Sequence, residues 1–239
     1  NIPQAVVAML ATTSLGAIWP STSPDFGEAS VVERFGQTRP RVLFAVDGYR
    51  YGGKAIDIQA KVASVVSQID SIEQTVMIPL LGNPLQLGHD WLQLLASQHG
   101  AQLTFEPMAF NDPLYILYSS GTTGKPKCIV HGIGGTLLQH LKEHQLHCDI
   151  KPGERVFYFT TCGWMMWNWL VSALASGATL VLYDGSPFYP DGNALWDLAR
   201  DEQVSRCPAQ AGLCPHQHPR VATAATYMQH GFRAVAGGI

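Results

Sequence analysis

The apolar positions of this chain fall into short runs that alternate between two periods. Val6, Val7, Leu10 and Leu15 recur at helical spacing behind Pro3, which suits a first helical turn, and Gly16 can end that helix. A short strand at Ala17–Trp19 then enters a turn-rich stretch, Ser21–Phe26. Ala29–Gln37 reads as helix, Arg41–Val46 as a compact strand, and Asp47-Gly48 as a turn. Ile56, Val62, Val65, Val66 and Ile69 predict a helix over Lys54–Ile69. Thr75–Ile78 reads as strand, Gly82–His89 as loop, Trp91–Ser97 as helix and Leu114–Tyr118 as strand. Beyond the loop that follows, helix is expected at Leu137–His147, strand at Arg155–Thr160, helix at Trp164–Ala175, strand at Thr179–Tyr183 and helix at Asn193–Glu202. Apolar strands alternating with helices predict an α/β fold of mostly parallel sheets with flanking helices.

One stretch requires a decision between membrane and core. No residue from Phe157 to Tyr183 is charged, which is long enough to span a bilayer. Thr160, Thr161, Asn168 and the Ser176-Gly177 break favour a buried helix, a turn and a buried strand instead. Composition supports a packed core, since 46% of residues are hydrophobic and 14% charged. The net charge of −3 and the lack of a basic run argue against a nucleic-acid partner. Five scattered cysteines fit reduced thiols and a cytoplasmic setting. No targeting signal is visible, and Asn1-Ile2-Pro3 reads as mid-domain sequence.

The segment with chemistry is Ser119-Ser120-Gly121-Thr122-Thr123-Gly124-Lys125-Pro126-Lys127, directly behind a buried strand. Small residues let backbone N–H groups approach phosphate oxygens, hydroxyls add donors, and lysines supply point charge. It is not the P-loop of ATPases and GTPases. Only two residues separate Gly121 from Gly124, and Pro126 rather than Ser or Thr follows Lys125. On composition alone, a solvated Ser/Gly surface loop is the plainer reading.

The full string resembles the phosphate-binding signature of the acyl-adenylate-forming superfamily, which includes acyl-CoA ligases, peptide-synthetase adenylation domains and luciferases. Ser23-Pro24-Asp25-Phe26-Gly27, Val31–Gly36 and Val42–Tyr51 are similar to its acetoacetate–CoA ligase branch. Gly163-Trp164-Met165-Met166-Trp167-Asn168-Trp169 resembles the Gly-Trp segment beside the acyl pocket of short-chain acyl-CoA synthetases. This implies that the chain is part of the large N-terminal domain of such an enzyme. It also implies that Ser119, Ser120, Gly121, Thr122, Thr123, Gly124, Lys125 and Lys127 hold the ATP phosphates, with Lys125 and Lys127 catalytic. Trp164, Met165 and Met166 would line the acyl pocket, with ordinary core packing as the alternative. ATP, Mg²⁺ and CoA are the implied cofactors and co-substrates. Small molecules are the implied partners, with neither nucleic acid nor membrane.

The resemblance covers about Ile2 to Val204, which is expected to be a partial adenylation domain. Residues 205–239 lose both periodicity and similarity and read as a divergent, possibly frame-shifted stretch. Cys128 stands where the family often has Gly or Ala. The family's Tyr-Gly-x-Thr-Glu and Thr-Gly-Asp segments and its C-terminal lysine domain are not in the chain, so little ligase turnover is expected from it alone. The alternatives are a fragment of an acetyl- or propionyl-CoA synthetase and an inactive nucleotide-binding remnant. Cys207, Cys214, His216 and His218 have a spacing that fits no standard zinc site, and no metal ligand is assigned. His131 and His140 read as isolated structural or surface histidines.

Overall fold

A computed structural model describes residues 1–119 and 124–207. These form two compact units, one of residues 1–133 with 184–186, the other of residues 134–183 with 187 onward.

The first unit opens with α1 (Pro3–Ser14), whose Pro3 sits in the first turn. Its buried residues are Val6, Ala8 and Met9, whereas Val7 and Leu10 are exposed. The helix is apolar nearly all round, so periodicity does not single out the buried face. β1 (Trp19–Pro20) follows, then α2 (Glu28–Thr38) and β2 (Val42–Val46). The predicted helix at Lys54–Ile69 is half right. Gly48–Tyr51 (β3) and Lys54–Asp57 (β4) form an antiparallel hairpin, and the helix α3 runs only from Gln59 to Gln68. Gly52 and Gly53, at φ +54° and +77°, make the two-residue turn that reverses the chain there. Ile56 joins the strand pairing instead, opposite Tyr49.

β5 (Gln74–Ile78) lies between β2 and β6 (His89–Asp90), parallel to both. Asp90 then caps α4 (Trp91–Ser97), accepting hydrogen bonds from the Leu92 and Gln93 amides. α2 and α3 pack together through Val31, Phe35, Val65 and Ile69, with Leu43 of β2 against them. Ile58, Val62 and Met77 form the adjoining core. A second sheet has the order β1–β7–β8, where β7 is Pro113–Ser119 and β8 is Lys127–Gly132. β1 pairs with β7 in parallel and β8 pairs with it antiparallel.

The second unit contains most of α5 (Ile133–Lys142), which runs into a π-helical turn at Glu143–His147. Then come β9 (Arg155–Phe157), α6 (Met165–Ser172), a 3₁₀ turn at Ala173–Ser176, β10 (Thr179–Val181) and α7 (Ala194–Asp201). β9 and β10 pair in parallel, and Arg206 bridges to Val156 on β9. The core holds Ile150, Val156, Met166, Trp169, Leu170, Ala173 and Ala178. The uncharged stretch is thus strand, helix and strand around this core. Among the described residues no helix is long and apolar enough to cross a membrane.

Candidate functional site

Strand β7 alternates as a half-buried strand must, with Tyr115 and Leu117 buried between less covered neighbours. Its last residue, Ser119, stands opposite Lys127, and Tyr118 stands opposite Cys128. The Ser/Gly/Thr/Lys segment is therefore the connection of an antiparallel hairpin. Pro126 fits this geometry because it lies outside the ladder, just before β8 begins. No strand was expected at Lys127–Gly132. The run Cys128-Ile129-Val130 has strand composition, but three apolar residues directly after a polar, proline-containing loop are too short a signal to stand out from sequence alone.

The base of the hairpin is fixed to α2. Gln37 donates from Nε2 to the Pro126 carbonyl at 3.1 Å, and Pro126 is buried. The Tyr118 hydroxyl and Thr38 Oγ1 are 2.8 Å apart, and Phe35 meets the Tyr118 ring edge-on. Burial pushes the Tyr118 phenol up to about 12, so it stays a neutral hydrogen-bonding group. Gly124 has φ +98°, a conformation that strains any residue with a Cβ. Lys125 and Lys127 are exposed, and neither side chain has a hydrogen-bond or ion-pair partner among the described residues. Of the sequence-derived phosphate residues, Ser119, Gly124, Lys125 and Lys127 thus meet on one hairpin. Ser120, Gly121, Thr122 and Thr123 lie outside the described residues.

The Ser23–Gly27 segment is held from α3. Lys61 Nζ donates to the carbonyls of Pro24 and Phe26, and burial lowers its pKa, partly offset by Asp25.

The Trp/Met segment is divided by its helix. Trp164 is the exposed residue that begins α6, Met165 is half-buried against the core, and Met166 is buried within it. Three groups of this unit have surroundings that the sequence did not show: His140, His144 and Asn168. His140 and His144 are both buried and meet at Ser172 of α6. Ser172 Oγ donates to the Trp169 carbonyl at 2.7 Å. With its single proton so used, it accepts from His140 Nδ1 at 2.8 Å and from His144 Nε2 at 3.0 Å. Burial drops the His144 pKa to about 4, so the ring is neutral near pH 7. His140 is thus not isolated, and the signal was available in the four-residue spacing of the two histidines. His131 stacks on Tyr115 at 4.9 Å between ring centres. The third group is Asn168, 1% exposed, whose Oδ1 and Nδ2 both lack partners among the described residues.

Among the described residues no group of three or more His, Cys, Asp or Glu could hold a metal ion. Cys214, His216 and His218 lie outside them.

A model of the AMP-binding enzyme family matches residues 1–213. The chain belongs to the AMP-binding enzyme family. This AMP-binding chain is 54% identical over 211 residues to acetoacetyl-coenzyme A synthetase of Rhizobium meliloti (strain 1021), covering 86% of the chain and 32% of that relative. It is 46% identical over 213 residues to malonamoyl-CoA synthetase vrtB of Penicillium aethiopicum, covering 84% of the chain and 30% of that relative. The solved structure of acetoacetyl-CoA synthetase from Streptomyces lividans superimposes with a TM-score of 0.85 at 46% identity, covering 97% of the chain and 34% of that protein. The AMP-binding chain therefore spans about a third of the length of these relatives.

Proposed function

We propose that this chain is the phosphate-gripping part of an ATP-dependent, AMP-forming acid–CoA ligase whose acid is acetoacetate. The observation that carries this reading is the hairpin: two exposed lysines, without partners among the described residues, follow a run of small hydroxyl residues, and the hairpin is anchored to α2 by Gln37 and Thr38. The relatives named above supply the acid, because acetoacetyl and malonamoyl groups are both short acyl chains with a carbonyl at the third carbon.

In the reaction, the acid's carboxylate attacks the α-phosphate of ATP, pyrophosphate departs, and CoA thiolate then displaces AMP from the acyl-adenylate. Negative charge grows on the departing pyrophosphate. Lys125 and Lys127 neutralise it, while Gly124 lets the backbone approach the phosphate oxygens. Ser119, Ser120, Gly121, Thr122 and Thr123 complete this grip, and Trp164, Met165 and Met166 belong to the acyl side. Mg²⁺ would arrive with the ATP phosphates and supply further charge neutralisation. We place the adenylation part at residues 1–204, with 205–239 divergent, in a cytoplasmic compartment that keeps the cysteines reduced. A remnant that binds nucleotide without turnover is the second reading.

ATP titration of the purified chain and its Lys125→Ala/Lys127→Ala variant tests the hairpin. Each charge-assisted bond is worth about 1.5–3 kcal/mol, so the double variant should bind ATP at least tenfold more weakly. Equal affinity would refute the assignment. Acetoacetyl-CoA formation by the chain in the presence of ATP and CoA separates the ligase from the remnant.

A further inference from the structure

We propose that Asn168 is the residue that recognises the acid's second carbonyl, with its Nδ2–H donating to the oxygen on the third carbon. This deepens the ligase reading and rests on it. Asn168 lies in the middle of α6, where every residue from Met166 to Val171 is buried. An apolar residue would satisfy packing there, yet the position holds an amide whose two ends have no partner among the described residues. An amide buried in this way destabilises the fold unless something pairs with it.

Its own helix does not supply a partner. Ser172, one turn on, is the nearest polar neighbour on the same stripe. Its proton goes to the Trp169 carbonyl, and its oxygen accepts from His140 and His144. In the other direction the stripe reaches Met165 and then Trp164, which is 58% exposed. The amide is thus set one helical turn in from an exposed aromatic residue, the position expected of a polar group that reads a small molecule entering from solvent.

The chemistry selects the ligand. An alkyl chain offers Asn168 nothing, and burying it there would leave the amide unpaired. A carbonyl on the third carbon offers Nδ2 an acceptor, and the terminal amide of a malonamoyl group would also give Oδ1 a donor. A site built to hydrogen-bond a polar group discriminates strongly against the analogue that lacks it. Asn168 would therefore separate acetoacetate from butyrate, which has the same number of carbons.

The test uses the 239-residue chain and ligand-detected NMR, which reports even millimolar binding, with acetoacetate, malonamate and butyrate as probes. The wild type should bind the first two in preference to butyrate. Asn168→Leu should lose that preference by about tenfold or more, with butyrate unchanged. It should also melt at the same or a higher temperature, because a similarly sized apolar side chain relieves an unpaired amide. Equal binding of acetoacetate and butyrate by the wild type would overturn the assignment. So would an Asn168→Leu chain that keeps the preference, or one that melts lower, which would make Asn168 a structural residue. ATP binding without any acid binding would overturn the role of Asn168 and leave the phosphate grip standing. Acid preference without ATP binding would remove the ligase reading and leave Asn168 as a carbonyl-reading site.

Discussion

Gln37 and Pro126 lie 89 residues apart in sequence and are joined by one hydrogen bond, from Gln37 Nε2 to the Pro126 carbonyl at 3.1 Å. That bond holds the descending side of the hairpin connection against the last turn of α2. Gln37→Ala leaves the carbonyl without its donor, at a cost of about 1 kcal/mol. Urea unfolding should show that loss. ATP affinity should fall about two- to fivefold as the connection loses its fixed position. An unchanged affinity would mean that the anchor does not order the phosphate grip.

Gly88 is set by close approach as well as by backbone shape. Its φ is +72°, and a Cβ there would sit 2.6 Å from the Thr75 carbonyl oxygen. Gly82 has a similar φ of +78° but open space around it. Gly82→Ala should therefore cost about 1 kcal/mol from backbone strain alone. Gly88→Ala should cost more, about 2–3 kcal/mol, by disturbing the β5–β6 pairing. Comparing their thermal melts decides between backbone strain and steric contact.

Asp47 is fully buried, and its two carboxylate oxygens accept the amides of Leu81 and Asn83, each at 2.9 Å. Asp47→Ala leaves both N–H groups unpaired, and a loss of about 2–4 kcal/mol is expected in urea. Asp47→Asn keeps one acceptor and should fall between the two. If the alanine variant matches the wild type, water replaces the carboxylate at little cost.

His144 gives the second unit an acid-sensitive element. Burial holds its pKa near 4 against an ordinary value of 6.5, opposed by the backbone near Trp169 and by Glu143. Above pH 6.5 the ring is neutral in both the folded and unfolded chain, and it contributes no pH dependence. Between 6.5 and 4 the unfolded chain takes up the proton and the folded chain does not, so stability falls with pH. The loss reaches at most about 3 kcal/mol near pH 4. Its signature is the difference between wild type and His144→Gln in urea midpoints from pH 7 to 4, since the variant lacks this slope. Parallel pH profiles would contradict the assignment.

Much of the site was legible because its chemistry is local. The hydroxyls, glycines and lysines between Ser119 and Lys127 are contiguous, and the phosphate role proposed for them follows from their types and closeness in sequence. The partners that give the loop its frame are not local. Gln37 and Thr38 reach it across some 80 to 90 residues, and sequence spacing carries no information about such contacts. The same holds for Met166. Its place in an apolar helix is readable, but whether it faces the core depends on Ile150, Val156 and Ala178 arriving against it.

The chain's own order of residues thus determined that apolar strands and helices alternate, that the uncharged stretch is core, and that one polar loop follows a buried strand. These depend on propensity and periodicity, which act over a few residues. Tertiary structure decided that Lys127–Gly132 is a strand, since its partner is β7, and that Ile56 belongs to a hairpin because two glycines reverse the chain before it. It also decided that two histidines share one serine and that Asn168 is buried without a partner among the described residues. Each of these depends on which distant surfaces meet, and so on the free energy of packing the whole unit.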